Sequence, residues 1–386
     1  MDFSFSEEQL AAVEAARAVF AGVSPDAVPS PALTPGPVAE DFDRVLWRRL
    51  ADADLLSLVL DEAYGGAGLD PVALCLVLRE AGGVLARVPL LETCAAALAI
   101  QQYGPPELRD RLLPAVGRGG LVLTVAANGR TGHDAAELAV SARQVEGEGG
   151  GSPASGSPAS GSPACGSPAS WILDGTQTAV PWAQHADHLL IPAVTPDGRA
   201  VIALLPRTAA TLADQVSTSG ERLAEIRLDG VRVPAADVIT AGGAWDRLRR
   251  LLTVGTCALA LGLGSAVLRM TSEYTGKREQ FGHPIATFQA VAMQSADRYI
   301  DLRAMEVTLS QAAWRLDPTD IAVAKIWASE GVRRVVQTAQ HLHGGFGADT
   351  DYSLHRYHAW AKQLELSLGP AAAHEEALGD LLAAEA

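Results

Sequence analysis

The residues best placed to do chemistry lie together in Tyr274-Thr275-Gly276-Lys277-Arg278-Glu279-Gln280-Phe281-Gly282-His283-Pro284-Ile285-Ala286-Thr287-Phe288-Gln289. A basic cluster at the end of a helical segment meets an aromatic, a Gly and a Pro, so the helix must break before helical character resumes after Thr287. An arginine at such a break can aim a planar guanidinium fork at a pyrophosphate, which a lysine meets only as a point charge. Phe281 and Phe288 could wall an adenine or a flavin. The alternative that spacing leaves open is an exposed helix end whose Lys277 and Arg278 complement the helix dipole.

Two other groups invite a chemical reading. His341, His343, His355 and His358 carry His-x-His and His-x-x-His spacings, but no carboxylate motif accompanies them, and Asp349 and Asp351 would join only by accident of folding; no metal is expected. Glu62-Ala63-Tyr64-Gly65-Gly66-Ala67-Gly68-Leu69 is Gly-rich, yet it lacks the Lys-Ser/Thr and the preceding strand of a phosphate loop and reads as a turn.

The elements that must position these residues fall into three stretches. Ser6 with Gln9 forms a capping-box signature, after which Leu10, Val13, Ala16 and Phe20 follow at helical spacing up to a proline-rich loop. Helices are expected near Asp41–Ala53, with Phe42, Val45, Leu46 and Leu50 on one face, and over 74–81, 93–103 and 106–116. From Leu121 the apolar runs shorten to strand length, at 121–125, 171–173, 188–191 and 200–205, and Asp174-Gly175 suggests a hairpin turn. Residues 251–268 carry no charge and reach the lower limit for a membrane span, but Gly255, Gly262 and Gly264 point to a close-packed bundle helix instead. Gly151 to Ser170 is four tandem Gly-Ser-Pro-Ala-Ser/Cys pentapeptides, a composition that cannot bury a core and is expected to be a disordered loop without a catalytic role.

Thirty Lys and Arg against 45 Asp and Glu give a net charge of −15, which argues against nucleic acid and anionic membranes as partners. An anionic ligand must be met by local positive charge. The acidic start, Met1-Asp2-Phe3-Ser4-Phe5-Ser6-Glu7-Glu8, has no signal-peptide pattern, so a cytoplasmic protein is expected. Cys75, Cys94, Cys165 and Cys257 are scattered and imply neither a disulfide framework nor a zinc ribbon.

The pattern Tyr-x-x-x-Arg-x-Gln-Phe-Gly-x-Pro-Ile-x-x-Phe-Gln resembles the FAD-binding segment of the acyl-CoA dehydrogenases. A second similarity follows in that family's order, at His341-Leu342-His343-Gly344-Gly345-Phe346-Gly347, Leu354-His355-Arg356-Tyr357 and Ala361-Lys362. The resemblance implies an α+β fold: an N-terminal helical domain over 1–118, a middle β domain over 119–240 and a C-terminal four-helix bundle over 241–386. It also implies FAD contacts from Arg278, Gln280, Phe281, Ile285, Phe288, Gln289, His341, Gly344 and Gly345, with His341 in the slot of a family Gln.

The family removes an α-proton with a Glu while the flavin accepts hydride, and a carbon acid needs such a positioned base. Counting from Lys362, the usual Glu position is Leu368; counting back from Gly282, the alternative position is Leu252. No catalytic residue is therefore assigned, Glu365 being the nearest carboxylate. The family's Thr-Glu-Pro-x-Ala-Gly-Ser-Asp loop is replaced by Thr124-Val125-Ala126-Ala127-Asn128-Gly129, and its flavin-facing aromatic and Thr by Ala179 and Pro181. One half of a shared flavin site is kept and the other degraded. This resembles the non-catalytic subunit of heterotetrameric actinobacterial dehydrogenases acting on steroid side-chain acyl-CoA, and implies a homologous catalytic partner. Two other readings stay open: a homomeric dehydrogenase with a relocated base, and a flavin-free scaffold or acyl-CoA-binding protein.

Overall fold

The computed structural model describes residues 4–27, 42–134, 136–145 and 170–385. Ser6 accepts the amide of Gln9 while the Gln9 side chain accepts the amide of Ser6, so the expected capping box starts α1 (Glu7–Phe20). Asp43 and Asp70 cap α2 (Arg44–Asp52) and α3 (Pro71–Gly83) through side-chain oxygens, and α4 (Leu90–Tyr103) and α5 (Pro106–Gly117) complete an N-terminal helical layer. Two residues placed on buried faces are exposed: Leu10 on α1 and Val45 on α2. Each sits at the margin of a stripe whose centre is set by Val13, Ala16 and Phe20, or by Leu46 and Leu50, so helical spacing alone put the edge one residue too wide.

The middle layer is a sheet of β1 (Leu123–Val125), β2 (Val140–Val145), β3 (Ser170–Pro181), β4 (His188–Val194), β5 (Ala200–Pro206), β6 (Thr211–Val216), β7 (Arg222–Pro234) and β8 (Val238–Ile239). Its order is β6-β7-β3-β2-β4-β5-β8, with β1 parallel to β4. The pentapeptide repeat lies outside the described residues except for Ser170, which is buried at the start of β3. The expected Asp174-Gly175 hairpin turn does not form: both residues lie inside β3, Ser141 opposite Asp174 and Val140 opposite Gly175. Gly175 serves close approach. A Cβ there would run into the carbonyl oxygen of Ala139 and come within 2.8 Å of the Val140 Cα, at a φ of 147°.

The C-terminal layer holds α6 (Ala244–Lys277), a short hairpin of β9 (Glu279–Gln280) and β10 (His283–Pro284), α7 (Gln289–Arg315), α8 (Pro318–His343), α9 (Leu354–Leu366) and α10 (Ala371–Glu385). α6 is long and apolar enough to cross a membrane, but 83% of its apolar window is buried inside the protein, as the bundle reading requires. Its glycines set that packing. A Cβ at Gly262 would fall on the carbonyl oxygen of Arg79 in α3, and one at Gly82 on that of Leu259 in α6, so the two backbones touch. Gly262→Ala is expected to force α3 and α6 apart and to cost about 2–3 kcal/mol of stability, measurable as an earlier urea midpoint at unchanged slope.

Candidate functional site

Two surfaces emerge where the sequence pointed to one. The first is built on the end of α6. Arg278 caps that helix, its amide donating to Tyr274 O at 2.8 Å while its own carbonyl accepts the amide of Ile285 at 2.8 Å, so the break fixes the arginine between two elements. Gln280 pairs with His283, and Phe281 and Gly282, with φ of 53° and 77°, form the two-residue turn between them. Left-handed φ is unfavourable for a phenylalanine, and here it leaves the ring 91% exposed and edge-on to Phe288, with centroids 6.3 Å apart.

The second motif meets the first through rings. Tyr274 of α6 stacks on His343 at 4.3 Å and on Phe346 at 5.8 Å. His343 is buried, its Nδ1 on Ala339 O and its Nε2 on the Tyr352 hydroxyl, and burial holds its pKa below the usual value. It is a structural histidine. His341, one turn-half away, is exposed, as are Gly344 and Gly345 after the end of α8. Gly344 takes φ 61° and ψ −142°, a conformation only glycine adopts readily, and a Cβ on Gly344 or Gly345 would meet open space. The stack therefore gathers Arg278, Gln280, Phe281, Phe288, Gln289, His341 and the two glycines onto one exposed end of the bundle, with Ile285 half-buried beneath. Among the described residues no carboxylate pairs with Arg278. A free guanidinium, amide donors and open glycine backbone fit a dinucleotide's phosphates and adenine.

The second surface is a cavity of about 290 Å³ between the helical layers and the sheet. Leu252 of α6 and Leu368 after α9 both line it, as do Ala127, Asn128, Ala179, Pro181 and Thr256. Positions counted from two separate motifs thus converge on one space, and both are leucine. Leu368 is held there with φ 58° by what ends α9: the ammonium of fully buried Lys325 donates to the carbonyls of Leu364 and Glu365, each at 3.0 Å, and to Ser329 Oγ at 2.8 Å. Burial pulls that ammonium down to about 8. Glu365 pairs with Lys362 at 2.7 Å and does not line the cavity, so its carboxylate is engaged elsewhere.

On the sheet side the end of β3 is kinked. Ala179 and Trp182 have φ of 51° and 60°, and pairing with β7 shifts register between Gln177 and Val180. Thr124 Oγ1 donates to Pro181 O at 2.6 Å and Asn128 Nδ2 donates to Ala179 O at 2.9 Å, tying β1 and the loop after it to the kink. Among the lining residues that sequence reasoning did not single out are two that carry polar groups next to the kink, Trp182 and Glu92. Trp182 brings an aromatic into the cavity one residue beyond Pro181, and Glu92 of α4 brings a carboxyl. Burial raises the Glu92 pKa to about 7, against the opposing pull of a backbone amide. Neither had a local signal: Glu92 reads as an ordinary first-turn acid of a helix.

A family model for the acyl-CoA dehydrogenase N-terminal domain matches residues 6–120, and one for the C-terminal domain matches residues 250–382. The chain is similar to acyl-CoA dehydrogenase FadE27 of Mycobacterium tuberculosis, 36% identical over 357 residues and 89% of each chain. Among solved structures it is similar to a variant of the Tcur3481-Tcur3483 steroid ACAD, with a TM-score of 0.84 and 36% identity over 98% of each chain. It is likewise similar to a chain of the ChsE4-ChsE5 complex from Mycobacterium tuberculosis, with a TM-score of 0.84 and 34% identity over 99% of each chain.

Proposed function

The chain belongs to the acyl-CoA dehydrogenase family of FAD-dependent oxidoreductases acting on CH–CH bonds, and from that premise we propose that it is the flavin-sharing, non-catalytic subunit of a heteromeric dehydrogenase. The enzyme would form a 2,3-enoyl-CoA from a bulky, steroid-derived acyl-CoA. One observation carries the reading: both positions from which the family supplies its base are leucines lining the same cavity, Leu252 and Leu368. A hydrocarbon side chain takes no proton, so this cavity has no base in either family place.

Bound FAD would supply the two-electron acceptor. The residues of this chain that would hold it are Arg278 on the pyrophosphate, with Gln280, Phe281, Ile285, Phe288, Gln289, His341, Gly344 and Gly345 around the dinucleotide. Their exposure at one end of the bundle supports a cofactor whose ring lies in another subunit. A face for that subunit is present too: Met293, Ile300, Val307 and Trp314 are exposed at seven-residue intervals along α7, an apolar stripe of the kind that packs against another helical surface. The steroid and two-component assignments draw support from the names of the two similar structures, one a steroid ACAD and both named for two components. The same reading takes the domain borders at 118/119 and 240/241.

The homomeric alternative loses ground because Glu365 does not line the cavity and its carboxylate is paired with Lys362. Expression decides among the readings. The subunit reading predicts poor solubility alone and a yellow, active complex on co-expression with a homologous chain that keeps the base Glu; yellow, active protein from this chain alone would overturn it, as would a colourless chain that is stable alone and adds no flavin to its partner.

A further inference from the structure

Most of α6 is buried, but Ser265, Arg269 and Ser272, spaced as i, i+4 and i+7, reach the surface on one side of it. Together with residues of α3 and α7 and with Arg17 of α1 they line a groove of about 650 Å³. Four arginines face this groove, Arg17, Arg79, Arg269 and Arg303, against two glutamates, Glu80 and Glu306. The chain as a whole has the opposite balance, with 30 basic residues to 45 acidic ones.

The two glutamates do not neutralise the groove. Glu80 is shared by Arg17 at 3.5 Å and Arg79 at 3.4 Å, and Glu306 by Arg79 at 3.5 Å and by Arg303. Each carboxylate thus ties two guanidiniums together, and its side chain is tucked in: Glu80 and Glu306 are 22% and 30% exposed, Arg17 and Arg303 53% and 56%. Arg17 also meets Glu14 at 2.9 Å, a residue that does not line the groove. Among the described residues no carboxylate pairs with Arg269. Its planar fork is left free to hold two oxygens at once.

We propose that this groove binds the diphosphate of a small soluble ligand, Arg269 making the bidentate contact while Arg17 and Arg303 add charge. A volume of about 650 Å³ falls within the range of small-molecule sites, and a recess lined by one sign of charge concentrates the field that draws a polyanion in. A bilayer surface, being flat, does not enter a recess. The groove shares no residue with the face assigned to FAD or with the apolar stripe of α7, so the proposal stands whether or not the shared-flavin reading does.

The test titrates inorganic pyrophosphate into the full chain, with its partner if that is the soluble form, followed by calorimetry. Arg278→Ala serves as the background, so that the face assigned to FAD does not contribute. Binding should be measurable below about 1 mM pyrophosphate at about 50 mM salt and should weaken at about 300 mM, because exposed charges carry it. Arg269→Ala, at an exposed position, should leave the melting temperature unchanged and lower the affinity roughly 10-fold or more; Arg269→Lys should recover only part of the loss. Triglutamate, of similar net charge but without phosphate, should bind more weakly than pyrophosphate. No pyrophosphate binding, an affinity unchanged in Arg269→Ala, or full recovery in Arg269→Lys would each overturn the proposal. So would triglutamate binding as tightly as pyrophosphate, which would make the groove a docking face for an acidic peptide.

Discussion

Two FAD, not four, are expected in an assembly of two copies of this chain with two of a homologous catalytic subunit. The reason is geometric. On the shared-flavin proposal each flavin takes a ring-binding sheet domain from one subunit and a phosphate-binding bundle end from another, and this chain would supply the second only. A flavin ring seated in its own cavity would meet Ala179 and Pro181, losing an aromatic stack and a hydrogen bond together. Trp182 is already packed against Phe42, with ring centroids 6.2 Å apart. The combined loss is about 3 kcal/mol, on the order of a hundredfold in affinity. Flavin absorbance against protein concentration in the purified complex measures it. Four FAD per tetramer would mean that the wrong half of this chain has been taken as degenerate.

Replacement of Arg278 by alanine should strip flavin from that complex. The guanidinium is exposed, its backbone alone holds the hairpin, and among the described residues no carboxylate competes for it, so the change should leave the fold intact and act on the ligand. Loss of a bidentate, charge-assisted contact is worth about 2–3 kcal/mol, a fall in FAD affinity of roughly 30- to 150-fold. Arg278→Lys should recover part of it, keeping the charge and losing the fork. An Arg278→Ala complex that assembles normally and retains full flavin would remove Arg278 from the site. One that fails to assemble is told apart by size-exclusion chromatography before flavin is measured.

Much of this protein is written locally. The break after Lys277 follows from a run that ends in Phe-Gly and a following Pro, and the capping box at Ser6 follows from two side chains three residues apart. The bundle role of α6 follows from glycines placed among apolar residues, and the closeness of Gly262 to Arg79 and of Gly82 to Leu259 is the physical form of that signal. Where the reading failed, distant chain decided. Asp174-Gly175 has turn chemistry, but β2 lies so near that only a glycine fits at 175, and strand pairing on both sides outweighs the local preference. Leu10 and Val45 have the right spacing and the wrong side of the stripe, which depends on what packs against it.

The candidate site divides in the same way. Leu252 and Leu368 could be counted from motifs, but their convergence on one cavity depends on Lys325 ending α9 where it does, an anchor between α8 and α9 that no periodicity reveals. That His343 is structural while His341 is exposed was invisible in a His-x-His pattern, since it depends on Tyr274 and Tyr352 arriving from other segments. Glu92 is the strongest instance. By sequence it is an acid in the first turn of a helix; only the tertiary fold half-buries it in an apolar cavity lining and raises its pKa to about 7, because burial acts on a charge through surroundings that the neighbouring residues do not specify.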